Sequence, residues 1–254
     1  MNMSGICLLR GRFSSLRIVL LLALFSIVSP AEAAVKLVFS FTLQPPYTTQ
    51  EKSGFTDLLM PLVFREAGID AEVFVYQGAF ERQLANADAG IEDGMGARVA
   101  GLEKQYPNLV RVPEELVTFD FVAFSIRHRF PTANWESLSP YAVSYIIGWK
   151  AFEANVSGVK ELALASNVDQ LFTLLEMGRT DVVLYERLHG LIKAREKGLI
   201  VQTMEPPLLR SKLYIYVHRK HAALAPRLAE ALRRLKQDGT YQRIYSATLG
   251  TRMN

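Results

Sequence analysis

The chain has 254 residues, enough for one large or two small domains, and carries 29 Lys and Arg against 25 Asp and Glu for a formal charge of +4. Half of its residues are hydrophobic and its one cysteine is Cys7, so no disulfide or multi-thiolate metal site can form within the chain.

Taken in chain order, Arg10, Arg12 and Arg17 precede the apolar run IVLLLALFSIV at 18–28, and SPAEAA follows, with Ala31 and Ala33 flanking Glu32. A basic start, a short apolar core and a small-residue cleavage pattern predict a secretory signal over residues 1–33. The run is too short for a comfortable membrane span. An uncleaved anchor is the alternative reading. The segment holds three arginines and one glutamate, so its removal lowers the formal charge from +4 to +2. The sequence pI of about 9.1 therefore gives no support to nucleic-acid binding.

VKLVFSF at 35–41 alternates and is β-rich, which predicts a strand. QPPY then forces a turn, because two prolines cannot continue a ladder. GFTDLLMPLVFREAG has helical spacing at Leu58, Leu59, Leu62 and Val63 and stops at Gly68, with Pro61 expected to kink the helix or set its start. AEVFVY predicts a second strand and FERQLANADAG a short helix. No element is assigned to DGMGAR at 93–98.

LVRV and the longer LVTFDFVAFSIR at 116–127 predict two strands. FPTANWESLSP reads as a loop, YAVSYIIG at 141–148 as a strand and ELALA as one more. SNVDQLFTLLEMG is the clearest helix, with Asn167 and Gln170 placed for a capping box and Gly178 for the C′ position. Residues 182–185 then predict a buried strand that delivers Tyr185 and Glu186 at its end. A helix near 187–197, the strand LIVQT, the strand KLYIYVHR at 212–219 and two closing helices complete the chain. Alternating strands and helices imply an α/β architecture with largely parallel sheets. The long strand ending at Arg127 and the matching strand at 212–219 flank an inserted set of elements. Two crossovers between lobes fit this pattern, and one continuous sheet fits it as well.

Three segments in order, PPY with GFTDLL, MGRTDVVLYE, and RLAEALRRLKQDGTYQRIYSATLG, resemble the type II periplasmic solute-binding proteins of family 3, which include the amino-acid receptors of ABC importers. The resemblance spans the chain beyond the signal. It implies an α/β fold of two lobes joined by two hinge strands, with lobe 1 at 34–125 plus 217–254 and lobe 2 at 126–216. The implied activity is capture of a small polar solute, an amino acid or a relative, for a membrane permease, by a monomer that is not an enzyme and needs no cofactor.

In that family the acid at the position of Glu186 holds the solute's amino group, a task suited to a charged acceptor. Arg98 is the candidate for the solute's carboxylate, which a guanidinium fork matches, although only a short stretch separates it from Asp93. Tyr47 is placed like the cleft aromatic that covers the ligand. Trp149 and Lys150 stand where the family has a Gly-Thr turn, and GWK replaces that small hydroxyl with a bulky ring. Arg82 is a further candidate on the first-lobe helix. Asp181 and Arg179 read as structural. His218 and His221 lack a third ligand for a metal, and GIEDGMG lacks the ending of a phosphate loop. Two other classes stay open: a sensory or partner-binding module without transport, and a cyclohexadienyl-dehydratase-like enzyme. No second acid or histidine is seen to pair with Glu186.

Overall fold

The computed structural model describes residues 36–77 and 80–250; the expected signal at 1–33 lies outside them. One nine-stranded sheet runs through the fold, in the order β2-β1-β3-β9-β4-β7-β5-β6, with β8 paired to β4. The strands are β1 (Leu37–Thr42), β2 (Ala71–Tyr76), β3 (Gly94–Val99), β4 (Leu109–Ser125), β5 (Ala142–Ile146), β6 (Glu161–Ala165), β7 (Val182–Glu186), β8 (Gln202–Thr203) and β9 (Leu209–His218). Parallel sets lie at both ends: β1 pairs parallel with β2 and β3, and β5 pairs parallel with β6 and β7. Between them stands the antiparallel pair β4–β9.

The helices are α1 (Phe55–Glu66), α2 (Phe80–Asp88), α3 (Lys150–Glu153), α4 (Val168–Glu176), α5 (Arg187–Glu196), α6 (Leu224–Gln237) and α7 (Thr240–Thr248). Helix α4 begins as its sequence implies: Asn167 accepts the Gln170 N–H, and Gly178 takes a left-handed φ of 65° just past the end.

Four readings of the sequence change. The two strands expected at 109–112 and 116–127 are one strand, β4, whose register shifts between Arg111 and Val117. Pro113 lies in that irregular stretch, where a missing N–H breaks no regular ladder. DGMGAR, left without an element, supplies β3, the strand between β1 and β9. Its two glycines permit this. A Cβ at Gly94 or Gly96 would meet the Phe39 or Phe41 ring at 2.4 or 2.1 Å, so β3 takes glycine where those rings need the volume. The strand expected at 199–203 shortens to β8. Helix α1 runs from Phe55 through the exposed Pro61 without a break.

The hydrophobic core divides along β4. Val112, Leu116, Val117 and Phe119 pack in one cluster with β1, α1 and α6. Val122 and Phe124 pack with α4 and β7, and Ala123 packs with β5 and Phe152. Phe121 touches clusters of both halves. Apolar residues thus collect in separate clusters on the two sides of Phe121, with Leu188 of α5 joining the first.

Candidate functional site

Tyr47 is positioned by the close approach of two chain segments. A Cβ at Gly54 would lie 2.4 Å from the Tyr47 carbonyl oxygen, so glycine is what lets the N-terminus of α1 meet the Pro45–Pro46–Tyr47 turn. Thr56 N–H and the Thr56 hydroxyl both donate to the Tyr47 carbonyl, each at 2.8 Å. The Tyr47 ring packs on Phe119 of β4 at 4.6 Å and on His189 of α5 at 5.2 Å between centroids. Its hydroxyl donates to Glu186 Oε1 at 3.1 Å. Burial, followed by the charge of Glu186, raises the Tyr47 pKa well above 10.

Glu186 closes β7, where it pairs with Phe121 of β4, and caps α5. It is only 1% exposed. Its Oε2 accepts the His189 backbone N–H at 2.9 Å and lies 2.7 Å from His189 Nδ1. A carboxyl group this buried depends on such hydrogen-bond partners. With Nδ1 turned toward Glu186, the other ring nitrogen of His189 is Nε2. That nitrogen is buried and, among the described residues, has no hydrogen-bond partner. The histidine that the sequence did not pair with Glu186 is therefore three residues away, on the first turn of α5. The N-cap spacing of Glu186 and His189 is the signal that could have found it.

Glu186 and Tyr47 line a cleft of about 520 Å³. Tyr245 of α7 shares the Tyr47 side, and Arg187 flanks Glu186. The floor is one face of the β4–β9 pair, with Thr118 and Asp120 of β4 beside Arg210 and Lys212 of β9. Charges pair across it. Lys212 Nζ lies 3.2 Å from Glu115 Oε2, and Arg210 Nε lies 3.2 Å from Asp120 Oδ1. Arg187 reaches Glu205 at 2.5 Å and Asp120 at 3.6 Å. A second cavity of about 720 Å³ shares Asp120, Arg187 and Arg210 with the first and adds Arg129 and Glu205.

Arg98, Arg82 and Trp149 line neither cavity. Arg98, on β3, donates to the Thr42 hydroxyl at 3.0 Å, to its own neighbour Ala97 O at 3.1 Å and to the Gln83 side chain. Its guanidinium lies 5.2 Å from the Phe80 ring centroid. Burial pulls its pKa down to about 10. Arg98 stands opposite Tyr214, which pairs with Glu115, whereas Glu186 stands opposite Phe121. Strand spacing and rise put the two Cα atoms on the order of 20 Å apart. Arg82 is exposed and lines neither cavity. Trp149 stacks on Phe152 at 5.5 Å and abuts Phe121 and Tyr185, within the core cluster of the second half. Lys150 starts α3, but its side chain lies outside the described residues. Asp181 Oδ2 accepts the Ala142 N–H at 2.9 Å and so ties β7 to β5.

No family model matches the sequence. It is 24% identical over 163 residues to an uncharacterised protein of Shewanella oneidensis, a match spanning 61% of this chain and 62% of that one. Among solved structures, a histidine kinase sensor domain with similarity to periplasmic binding proteins superposes with a TM-score of 0.63 at 19% identity, covering 85% of this chain and 96% of that one. The GluR0 ligand-binding core in complex with L-glutamate gives a TM-score of 0.67 at 13% identity over 85% and 99%. The substrate-binding protein of an amino acid ABC transporter gives 0.61 at 17% identity over 84% and 99%. This chain therefore has the two-lobed, periplasmic-binding-protein-like α/β fold that those structures share.

Proposed function

We propose that this protein is an exported solute-binding protein that takes a small polar solute with a cationic group, an amino acid or a related compound, into the cleft beside Glu186. The observation that carries the reading is a carboxylate 1% exposed at the wall of that cleft, at the C-terminal end of a strand, where α/β sheets place their ligands. An ammonium or guanidinium group replaces the Tyr47 hydroxyl at Oε1, and the rings of Tyr47 and Tyr245 shield it from water. The contact strengthens as water leaves the cleft.

On this reading residues 34–125 with 217–254 form one lobe and residues 126–216 the other. Strands β4 and β9 connect them and flex as the lobes close. The separate cores on the two sides of Phe121 support this division. The protein acts as a monomer in the periplasm and hands its solute to the permease of an ABC importer. The fold shared with the substrate-binding protein of an amino acid ABC transporter supports that partner. The kinase sensor domain of the same fold favours a second reading, in which closure signals to a membrane partner instead.

Calorimetric titration of the protein with the twenty L-amino acids, joined to small-angle scattering, tests the proposal. Binding by at least one of them with a fall in radius of gyration is expected. Absence of binding across the panel contradicts it.

A further inference from the structure

A guest with a cationic head at Glu186 is a zwitterion only if something in the same cleft meets its negative end. Arg98 does not line the cleft, and its guanidinium is engaged by Thr42, Gln83 and Ala97. Three other cations line the cleft with Glu186: Arg187, Arg210 and Lys212. Arg187 has only 15% of its side chain exposed and spends one nitrogen on Glu205 and the other on Asp120. Lys212 is paired with Glu115 and offers a point charge without a preferred plane.

Arg210 differs from both. Its side chain is 70% exposed, and its pairing to Asp120 runs through Nε. Among the described residues no hydrogen bond or ion pair engages its Nη1 or Nη2. The outer edge of the fork, which matches a carboxylate with two parallel bonds, is thus left without a partner on a residue that lines the groove, while Asp120 engages Nε. Arg210 lies where the two cavities meet, since both are lined by it. In the second cavity Arg129, Arg187 and Arg210 outnumber Asp120 and Glu205, which leaves an excess positive charge at that end. The first cavity has Glu186 buried in its wall. The groove is therefore polarised, with its acceptor end at Glu186 and its donor end at Arg210.

We propose that Arg210 is the residue that holds the carboxylate of the guest, so that the strand pair joining the two halves, and not β3, reads the acid end of an amino-acid-like zwitterion. This assignment rests on the solute-binding reading above and names the anion partner within it. It also places a specificity contact on β9, opposite Asp120 in the ladder, so the ligand's charge bears directly on the segment that must bend for closure.

The test is calorimetry of the full protein and of its R210Q, R210K, R98Q and E186Q forms. The probes are whichever of the twenty L-amino acids binds the unmodified protein most tightly, and the α-carboxamide of that amino acid. The high exposure of Arg210 leaves the fold independent of the change, and equal melting temperatures confirm this. R210Q is expected to weaken the acid by about tenfold or more and to bind acid and amide alike, since loss of a charge-assisted pair is worth that much. R210K recovers part of the preference, and R98Q keeps it. If R210Q retains the full preference for the acid while E186Q loses binding, the cation grip stands and the Arg210 assignment falls. If the preference disappears in R98Q instead, the acid end belongs to β3 and the assignment also falls. If no amino acid binds the unmodified protein, the solute-binding reading fails and this proposal fails with it.

Discussion

The hydroxyl of Tyr47 and the carboxylate of Glu186 meet at 3.1 Å across 139 positions of sequence. One sits on the turn that follows β1, the other at the end of β7. Removing the hydroxyl leaves a buried carboxylate with one donor fewer. Tyr47→Phe is expected to lower stability by about 1.5 kcal/mol, read as a lower urea midpoint with an unchanged slope. A midpoint equal to that of the unmodified protein contradicts a bond between these two side chains in solution.

Helix α5 carries Glu186 at its cap and is fitted to the sheet through Gly190. A Cβ there would lie 2.3 Å from the Phe124 ring, and Phe124 is fully buried. The ring has no room to yield. Gly190→Ala is expected to destabilise by about 1–3 kcal/mol through overpacking, lowering the melting temperature by several degrees. Solute affinity should fall as well, because the helix start that positions Glu186 and His189 moves with it. A melting temperature at or above that of the unmodified protein contradicts the tight packing of α5 on β4.

Acid should weaken the fold through Asp93 and Asp181. At Asp93 burial pushes the pKa up, but hydrogen bonds from Lys220, the Val38 N–H and His221 outweigh it, and the net pKa lies below the ordinary 3.8. At Asp181 the Ala142 N–H leads, and His128 adds to it. A carboxyl group with a lowered folded pKa contributes stability that is fully present above 3.8 and is lost as pH falls through the folded value. The share of stability that these two groups supply is expected to hold in urea midpoints between pH 7 and 5 and to drop below about pH 4. Asp181→Asn should show a smaller drop than the unmodified protein. An equal drop contradicts the role given to Asp181.

Much of the fold is legible in the sequence because local signals there agree with the tertiary result. Asn167, Gln170 and Gly178 bracket α4, and the strand at 182–185 ends on Glu186 as its pattern implies. The errors fall where long-range pairing overrides local pattern. β3 is glycine-rich and short, and only the Phe39 and Phe41 rings beneath it explain its composition. β4 appears broken in sequence at Pro113, yet β9 holds both parts in one ladder. In the cleft, Tyr47 and Glu186 can be picked out from the double-proline turn and the strand end. Asp120, Arg210 and Lys212 cannot. They look like charges alternating on ordinary strands, and only the antiparallel pairing of β4 with β9 turns that face into a floor. Arg98 shows the converse case, since residue type suits an anion partner while register assigns its bonds to Thr42 and Gln83.

The central claim is that Glu186 grips a cationic guest at the cleft, and Glu186→Gln tests it most directly. The change keeps shape and removes charge. Calorimetric titration of both proteins with the amino acid that binds the unmodified form most tightly is the measurement. A loss of affinity of at least about tenfold is expected in the Gln form, with circular dichroism unchanged. Equal affinity in the two proteins would contradict it.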